Sequence, residues 1–239
     1  MSGRISRHFD LTAENARYQM DRSHFNQLET KYGQHASWTI WRPDDLEDTA
    51  VIRENLGDLK TSVVMVALNI SGAISSPWQN FHSRDHARKL MYAFNQSPYR
   101  GSYITDLIKD HVESSSERLR QQLLTGQLGL TSHLETFYEE MKDLGANDHT
   151  LFILFGGRVT KMFSTYVART YPNQISCPHY SMYGKGYTDA EWVEKVWSIL
   201  ESRSRTMAPN CDAPQFFASA KMIAALVNLR TRSSASRSH

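Results

Sequence analysis

Three mainly apolar runs of residues, separated by stretches with helical periodicity, constrain the fold of this chain more than any other feature. The runs cover 62–68, 102–108 and 150–155, and a shorter run covers 174–178. A run that is apolar without alternation is typical of a parallel strand covered on both faces. Strands that alternate with helices along the chain predict an α/β fold. The sequence therefore predicts a three-layer αβα fold around a central, mainly parallel sheet of four to five strands.

Helical patterns and their start and stop signals fill the remaining segments. Ser132 with Glu135 and Thr188 with Glu191 match the capping box that opens a helix. Gly145 is the residue type that ends one. The predicted helices cover 12–33, 44–56, 84–95, 115–124, 132–144, 158–170, 189–203 and 214–229.

Composition divides the chain around one core. Residues 61–203 contain the predicted strands and form the α/β core. Residues 1–60 are expected to be a helical extension packed on that core, and 204–230 a C-terminal helix. The Ser/Arg-rich segment 231–239 is predicted to be disordered.

Charge, cysteine content and hydropathy exclude several classes of protein. A net charge of +2 permits a nucleic-acid partner without requiring one. The two cysteines, Cys177 and Cys211, cannot build a disulfide framework or a four-thiolate cluster. No apolar run approaches the length of a membrane span, and the N-terminus lacks the apolar region of a signal peptide. These features predict a cytoplasmic protein with reduced thiols and no membrane contact.

Polar residues or glycine stand at the carboxyl ends of the predicted strands. They are Asn69, Asp106, Gly156 and His179. In open α/β sheets, ligands bind beyond the carboxyl ends of the strands. The sequence therefore predicts one site at this edge of the sheet.

The order and spacing of these four positions resemble the uracil-DNA glycosylase superfamily, over roughly residues 60–200. Its mismatch-specific and single-strand-selective branches carry Gly-X-Asn-Pro-Gly after the first core strand, and 67-ALNIS-71 keeps the asparagine of that motif. The second family motif, His-Pro-Ser, corresponds to 179-HYS-181. The resemblance implies the αβα fold of that family and attack on the glycosidic bond of an everted nucleotide.

The resemblance also implies roles in the first half of the site. Asn69 would orient the attacking water at the sugar C1′, and Phe81 would stack on the base. Trp78, in the same loop, is a competing stacking candidate. The alternatives are that Asn69 is a turn residue and Phe81 a core residue.

Asp106 stands where the family reads the base edge. An ionised carboxylate only accepts hydrogen bonds, which suits the exocyclic amine of cytosine. The alternative is that Asp106 caps the following turn or pairs with Lys109.

The second motif implies donors and DNA contacts. His179 would donate to the base O2 as negative charge develops there, and Tyr183 would fill the gap left by the flipped nucleotide. Ser181 and Lys185 could hold phosphates near the start of the helix 189–203. Arg158, after Gly156 and Gly157 at a strand-to-helix junction, is a further phosphate candidate, although close packing explains the two glycines equally well.

One expected element is missing. No Asp, Glu or His stands beside Asn69 in the sequence to act as a general base. His82, Asp85 and His86 could fold back from the following segment to supply one.

Together these features predict a monofunctional DNA glycosylase that needs no metal, iron–sulfur cluster or organic cofactor. The expected substrate is a modified or damaged pyrimidine in DNA, with a cytosine-like base favoured, such as a hydroxymethylcytosine derivative of phage DNA. A monomer is expected. The alternatives are an ordinary uracil-DNA glycosylase, a non-catalytic module that binds nucleic acid or a modified nucleotide, and an unrelated α/β enzyme acting on a small phosphorylated ligand.

Overall fold

A five-stranded mixed sheet organises the chain in the computed structural model, which describes residues 20–82, 84–181 and 188–207. The strands are β1 (Ala36–Trp38), β2 (Lys60–Asn69), β3 (Ser102–Ile108), β4 (Leu151–Phe155) and β5 (Gln174–Cys177). Their order across the sheet is β1-β3-β2-β4-β5. Only β1 is antiparallel to its neighbour, and the other three pairs are parallel. The predicted fold class is confirmed.

The helices lie between the strands, as the sequence predicts, with different bounds in several places. They are α1 (Arg22–Tyr32), α2 (Ala50–Glu54), α3 (Arg84–Phe94), α4 (Ser116–Leu124), α5 (Leu130–Leu144), α6 (Gly157–Tyr166) and α7 (Asp189–Met207), with a 3₁₀ turn at Leu56–Asp58. The helix predicted over 44–56 is reduced to α2, and turns precede it. The expected helix 214–229 and the tail 231–239 lie outside the described residues.

Side chains from the two faces of the sheet form two cores. Along β2, Val64, Val66 and Leu68 point into one core, which the helices α1, α5 and α6 cover. The alternate residues Val63, Met65 and Ala67 point into the other, which α3 and α7 cover. This period of two explains the unbroken apolar run, because both faces of the strand are buried.

The N-terminal segment contributes to the sheet itself, which differs from the helical extension expected for residues 1–60. Its strand β1 pairs with β3, Ala36 opposite Thr105 and Trp38 opposite Tyr103. Trp38 is fully buried and packs edge-on against Tyr103, with ring centroids 4.9 Å apart. A strand of three residues is too short to show periodicity, so this pairing is decided by tertiary contacts.

The path of the chain creates a crevice at the carboxyl ends of β2 and β4. From β2 the chain passes to β3 on one side, and from β3 it crosses to β4 on the other side of β2. Such a reversal of strand order opens a gap between the loops that leave the two central strands.

Candidate active site

A pocket of about 590 Å³ occupies this crevice. This volume lies within the range of pockets that hold small ligands, roughly 300–1,000 Å³. Its walls come from the end of β2, the loop after β3, the β4–α6 junction and the segment after β5. The lining residues that carry polar side chains are Asn69, Ser71, Glu113, Ser114, Arg158, His179, Tyr180 and Ser181.

Asn69 is held in one orientation by the loop that follows β3. Its Nδ2 donates to the carbonyl oxygens of Ile70 at 2.9 Å, Glu113 at 2.8 Å and His111 at 3.4 Å. Since carbonyls only accept, these contacts define which side of the amide is nitrogen. The Oδ1 atom is thereby left as an acceptor, and among the described residues no donor contacts it.

His179 is held in one tautomer by Ser181. The backbone N–H of Ser181 donates to Nδ1 of His179 at 3.1 Å, and the Ser181 hydroxyl lies 2.7 Å from the same atom. A backbone N–H cannot accept, so Nδ1 carries the lone pair and Nε2 carries the proton. His179 is therefore a neutral imidazole whose Nε2–H is a donor.

Gly156 makes room for that imidazole. A Cβ at this position would meet Cβ and Cδ2 of His179 at 3.3 Å, and the φ of Gly156 is +100°, which side chains disfavour. The histidine ring also stacks on Tyr180, with centroids 4.4 Å apart. The backbone at the end of β4 therefore requires glycine so that His179 can lie against it.

The first turn of α6 faces the pocket with Gly157 and Arg158. The unpaired amides at a helix N-terminus favour an anion. Arg158 is exposed, and its Nη2 lies 3.2 Å from the carboxylate of Glu117. A hydrogen bond from Arg120 lowers the pKa of Glu117 to about 2, and the charge of Arg158 adds to this effect.

Phe81 and Asp106 lie behind the pocket wall rather than in it. Phe81 is 6% exposed and packs edge-on against Tyr180, with centroids 6.1 Å apart. Asp106 is 1% exposed and stands opposite Ala67, on the same face of the sheet as Phe81. Tyr180 separates both residues from the pocket. Phe81 and Asp106 therefore do not share the open cavity that Asn69 and His179 line.

The environment of Asp106 differs from the one expected for an ionised carboxylate. Its Oδ2 accepts a hydrogen bond from Asn80 at 2.8 Å, and Oδ1 has no hydrogen-bond partner among the described residues. Burial raises the pKa of Asp106 to about 7, although the Asn80 hydrogen bond and the charge of Lys109 oppose this. The alternative pairing with Lys109 is not formed, because the ammonium of Lys109 contacts Glu140.

Trp78 lies on the opposite face of the sheet, which corrects its assignment as a stacking residue. It is 2% exposed in the core that α1 covers, and its ring packs against Phe25 and Tyr103. Its Nε1 donates to Glu29 at 2.9 Å. A base in the pocket cannot reach this indole.

His82, one of the candidates for a general base, does not line the pocket. His82 is fully buried against Trp41, and burial lowers its pKa to about 4. Tyr183 and Lys185, together with the side chains of Asp85 and His86, lie outside the described residues.

Sequence reasoning missed Glu113, which the fold places beside Asn69. The loop 109–115 follows β3 and returns across the end of β2, where the N–H of Glu113 donates to Ile70 O at 3.1 Å. The only signal in the sequence is that this loop leaves the carboxyl end of a strand next to β2.

The described part of the chain contains neither a candidate metal site nor a candidate membrane span. No group of three or more His, Cys, Asp or Glu side chains within 20–82, 84–181 and 188–207 is placed to hold a metal ion. Within the same ranges, no helix combines the length and hydropathy that crossing a bilayer requires.

Comparison with known proteins returned no match to any family model, curated protein or solved structure. The fold and the pocket therefore define the class of protein only as an αβα protein with a polar site at the carboxyl edge of its sheet.

Proposed function

We propose that this protein is a monofunctional DNA glycosylase that hydrolyses the N-glycosidic bond of an everted pyrimidine nucleotide. One observation carries the proposal. Asn69 and His179, far apart in sequence, line the same pocket with an oriented acceptor and an oriented donor. Hydrolysis at C1′ uses an acceptor to orient the water and a donor to stabilise the departing base.

Each group has a distinct part in the reaction. Asn69 Oδ1 accepts a hydrogen bond from the attacking water and directs its oxygen towards C1′. As the C1′–N bond breaks, its electron pair passes to the base, and His179 Nε2–H donates to the oxygen where the charge accumulates. A neutral imidazole donor suits this role because the site does not have to hold a desolvated positive charge.

The start of α6 offers a place for a phosphate of the same nucleotide. Its first turn and the Arg158 side chain line the pocket, and the unpaired amides of a helix N-terminus favour an anion. Contacts of this kind position a nucleic-acid backbone without reading its sequence. They support DNA as the partner.

The residues that line the pocket leave two classes of base open. Asp106, the sequence-based candidate for reading the base edge, is 1% exposed and lies behind Tyr180, so it does not meet a base in the pocket. The His179 Nε2–H suits the O2 carbonyl that cytosine and uracil share. The substrate panel therefore includes uracil besides the modified cytosines.

Release of free base from defined oligonucleotides tests the proposal. Single-stranded and duplex DNA carrying uracil, 5-hydroxymethylcytosine or glucosylated 5-hydroxymethylcytosine is incubated with the protein, and free base is measured by mass spectrometry. We expect alkali-labile abasic sites with at least one substrate. His179→Gln and Asn69→Ala should each lose about 10²-fold or more in rate.

The control variant is Glu135→Gln, an exposed carboxylate on α5 away from the pocket. It should match the wild-type rate. Salt-dependent DNA binding without base release from any substrate would instead identify a non-catalytic module. Absence of both binding and release would favour an enzyme acting on a small phosphorylated ligand.

A further inference from the structure

Glu113 is a pocket carboxylate to which the proposed reaction has so far given no role. It lines the pocket together with Asn69 and His179. Its side chain is 12% exposed, so it is largely screened from bulk water. Its backbone carbonyl, 2.8 Å from Asn69 Nδ2, fixes its distance from the residue that orients the water.

One oxygen of this carboxylate is engaged and thereby orients the other. Oε1 accepts from the backbone N–H of Ser115 at 2.7 Å and from Nε of Arg118 at 3.2 Å. No donor among the described residues contacts Oε2. The planar carboxylate is therefore held by one edge, while its second oxygen retains its capacity to accept.

The loop that carries Glu113 is fixed to the end of β2 at two points. The Glu113 N–H donates to Ile70 O at 3.1 Å, and the Asn69 amide donates back to Glu113 O. A general base has to lie within hydrogen-bond reach of the proton it takes, directly or through one water. These two hydrogen bonds hold the backbone of Glu113 at a fixed distance from Asn69.

We propose that Glu113 is the general base of the glycosylase reaction, an inference that rests on the function proposed above. Glu113 Oε2 takes one proton from the water that Asn69 orients, and the water oxygen forms the new bond to C1′. The C1′–N bond breaks, and its electron pair leaves with the base, which His179 stabilises and solvent then protonates, while Glu113 returns its proton to solvent. The products are the free base and the abasic sugar, and no co-reactant other than water is consumed.

A purely structural role for Glu113 is the competing explanation. Its Oε1 contacts with Ser115 and Arg118 lie at the start of α4, where a carboxylate helps to cap the helix. Glu113→Gln separates the two roles, because glutamine keeps an oxygen that can accept from Ser115 but loses the basic carboxylate.

Base release from the most reactive oligonucleotide of the panel is measured for wild type, Glu113→Gln, Glu113→Ala and the control Glu135→Gln. We expect Glu113→Gln to lose about 10²-fold or more in rate at neutral pH, with DNA binding and circular dichroism unchanged. The acid limb of the pH–rate profile should disappear in this variant. Added formate should restore part of the rate to Glu113→Ala by supplying a carboxylate in the vacated space.

The outcomes distinguish failure of the glycosylase function from failure of the role proposed for Glu113. If wild type releases base and Glu113→Gln keeps its rate within about twofold, Glu113 is not the base and the glycosylase function stands. A slow Glu113→Gln variant with an unchanged pH profile, together with a Glu113→Ala variant that formate does not rescue, would assign Glu113 a structural role. If wild type releases no base from any substrate, the function and the role of Glu113 fall together.

Discussion

At the scale of single residues, Asp106 shows how burial changes the chemistry that a sequence position predicts. By itself an aspartate at a strand end is an ionised acceptor. In the fold, Asp106 is nearly inaccessible, with one oxygen bound to Asn80 and the other without a partner among the described residues. Removing a charged carboxylate from water is costly, so its proton is retained to higher pH.

Replacing Asp106 by asparagine should change how stability depends on pH. The pKa of Asp106 is raised from 3.8 to about 7 in the folded protein. The folded state then binds more protons than the unfolded state, so wild type loses stability as pH rises from about 4 to about 7. The asparagine variant lacks this loss, which amounts to on the order of 4 kcal/mol above pH 7.

Urea unfolding of both proteins between about pH 5 and pH 8 checks this prediction, because the difference between their unfolding free energies should grow with pH. If the new amide destabilises the folded state by a constant amount, the free-energy difference changes equally at every pH, and its slope against pH stays the same. The exposed Asp148→Asn serves as the control. A difference that stays constant across this range would contradict a buried, protonated Asp106.

At the scale of elements, two identical sequence signals have different outcomes. Thr188 and Glu191 form the predicted capping box, since the Glu191 N–H donates to the Thr188 hydroxyl at 3.2 Å and the Thr188 N–H donates to Glu191 at 2.7 Å. Ser132 does not cap α5, which begins earlier at Leu130. Its hydroxyl instead donates to Gly129 O at 2.8 Å, inside the first turn. A residue pair that matches the capping box can therefore lie inside the first turn when the helix begins before it.

Alanine substitutions at the two positions should therefore differ in effect. Thr188→Ala removes an N-cap contact and should destabilise the protein by about 1 kcal/mol. Ser132→Ala removes only an exposed hydrogen bond within α5 and should leave the stability nearly unchanged. Thermal unfolding of the two variants beside wild type measures the difference, and equal losses would show that Thr188 is no more a cap than Ser132.

At the scale of the whole molecule, a buried ion pair joins the sheet to one helical layer. Lys109, just after β3, contacts Glu140 of α5, and the two side chains are 2% and 0% exposed. Tyr103 and Thr105 of β3 donate to the same carboxylate at 2.8 and 2.9 Å. Breaking a buried pair by removing one partner leaves a charge without compensation.

A double-mutant comparison should expose this dependence. Lys109→Met should lose about 3–5 kcal/mol because the Glu140 charge remains buried and unpaired. Adding Glu140→Gln should recover most of that loss, since the neutral amide still accepts from Tyr103 and Thr105. Urea unfolding measures both, and a double variant no more stable than Lys109→Met would contradict the argument. The exposed Arg120→Met, which breaks the surface pair with Glu117, should barely move the midpoint.

The sequence by itself determined the fold class and the main strands. The runs that form β2, β3 and β4 are mainly apolar, and that pattern is local, so neighbouring residues suffice to show it. The same reasoning placed Asn69 and His179 at strand ends, and therefore at one edge of the sheet.

Only the tertiary structure decided which other residues meet them. Trp78 and Phe81 are three positions apart in one loop, yet they enter opposite cores because Trp78 packs on α1 and Phe81 on Tyr180. Glu113 reaches Asn69 because the loop after β3 crosses the end of β2, and β1 joins the sheet only through its pairing with β3. These contacts join segments distant along the chain, and their free energy comes from packing and hydrogen bonds that no local pattern of residues encodes.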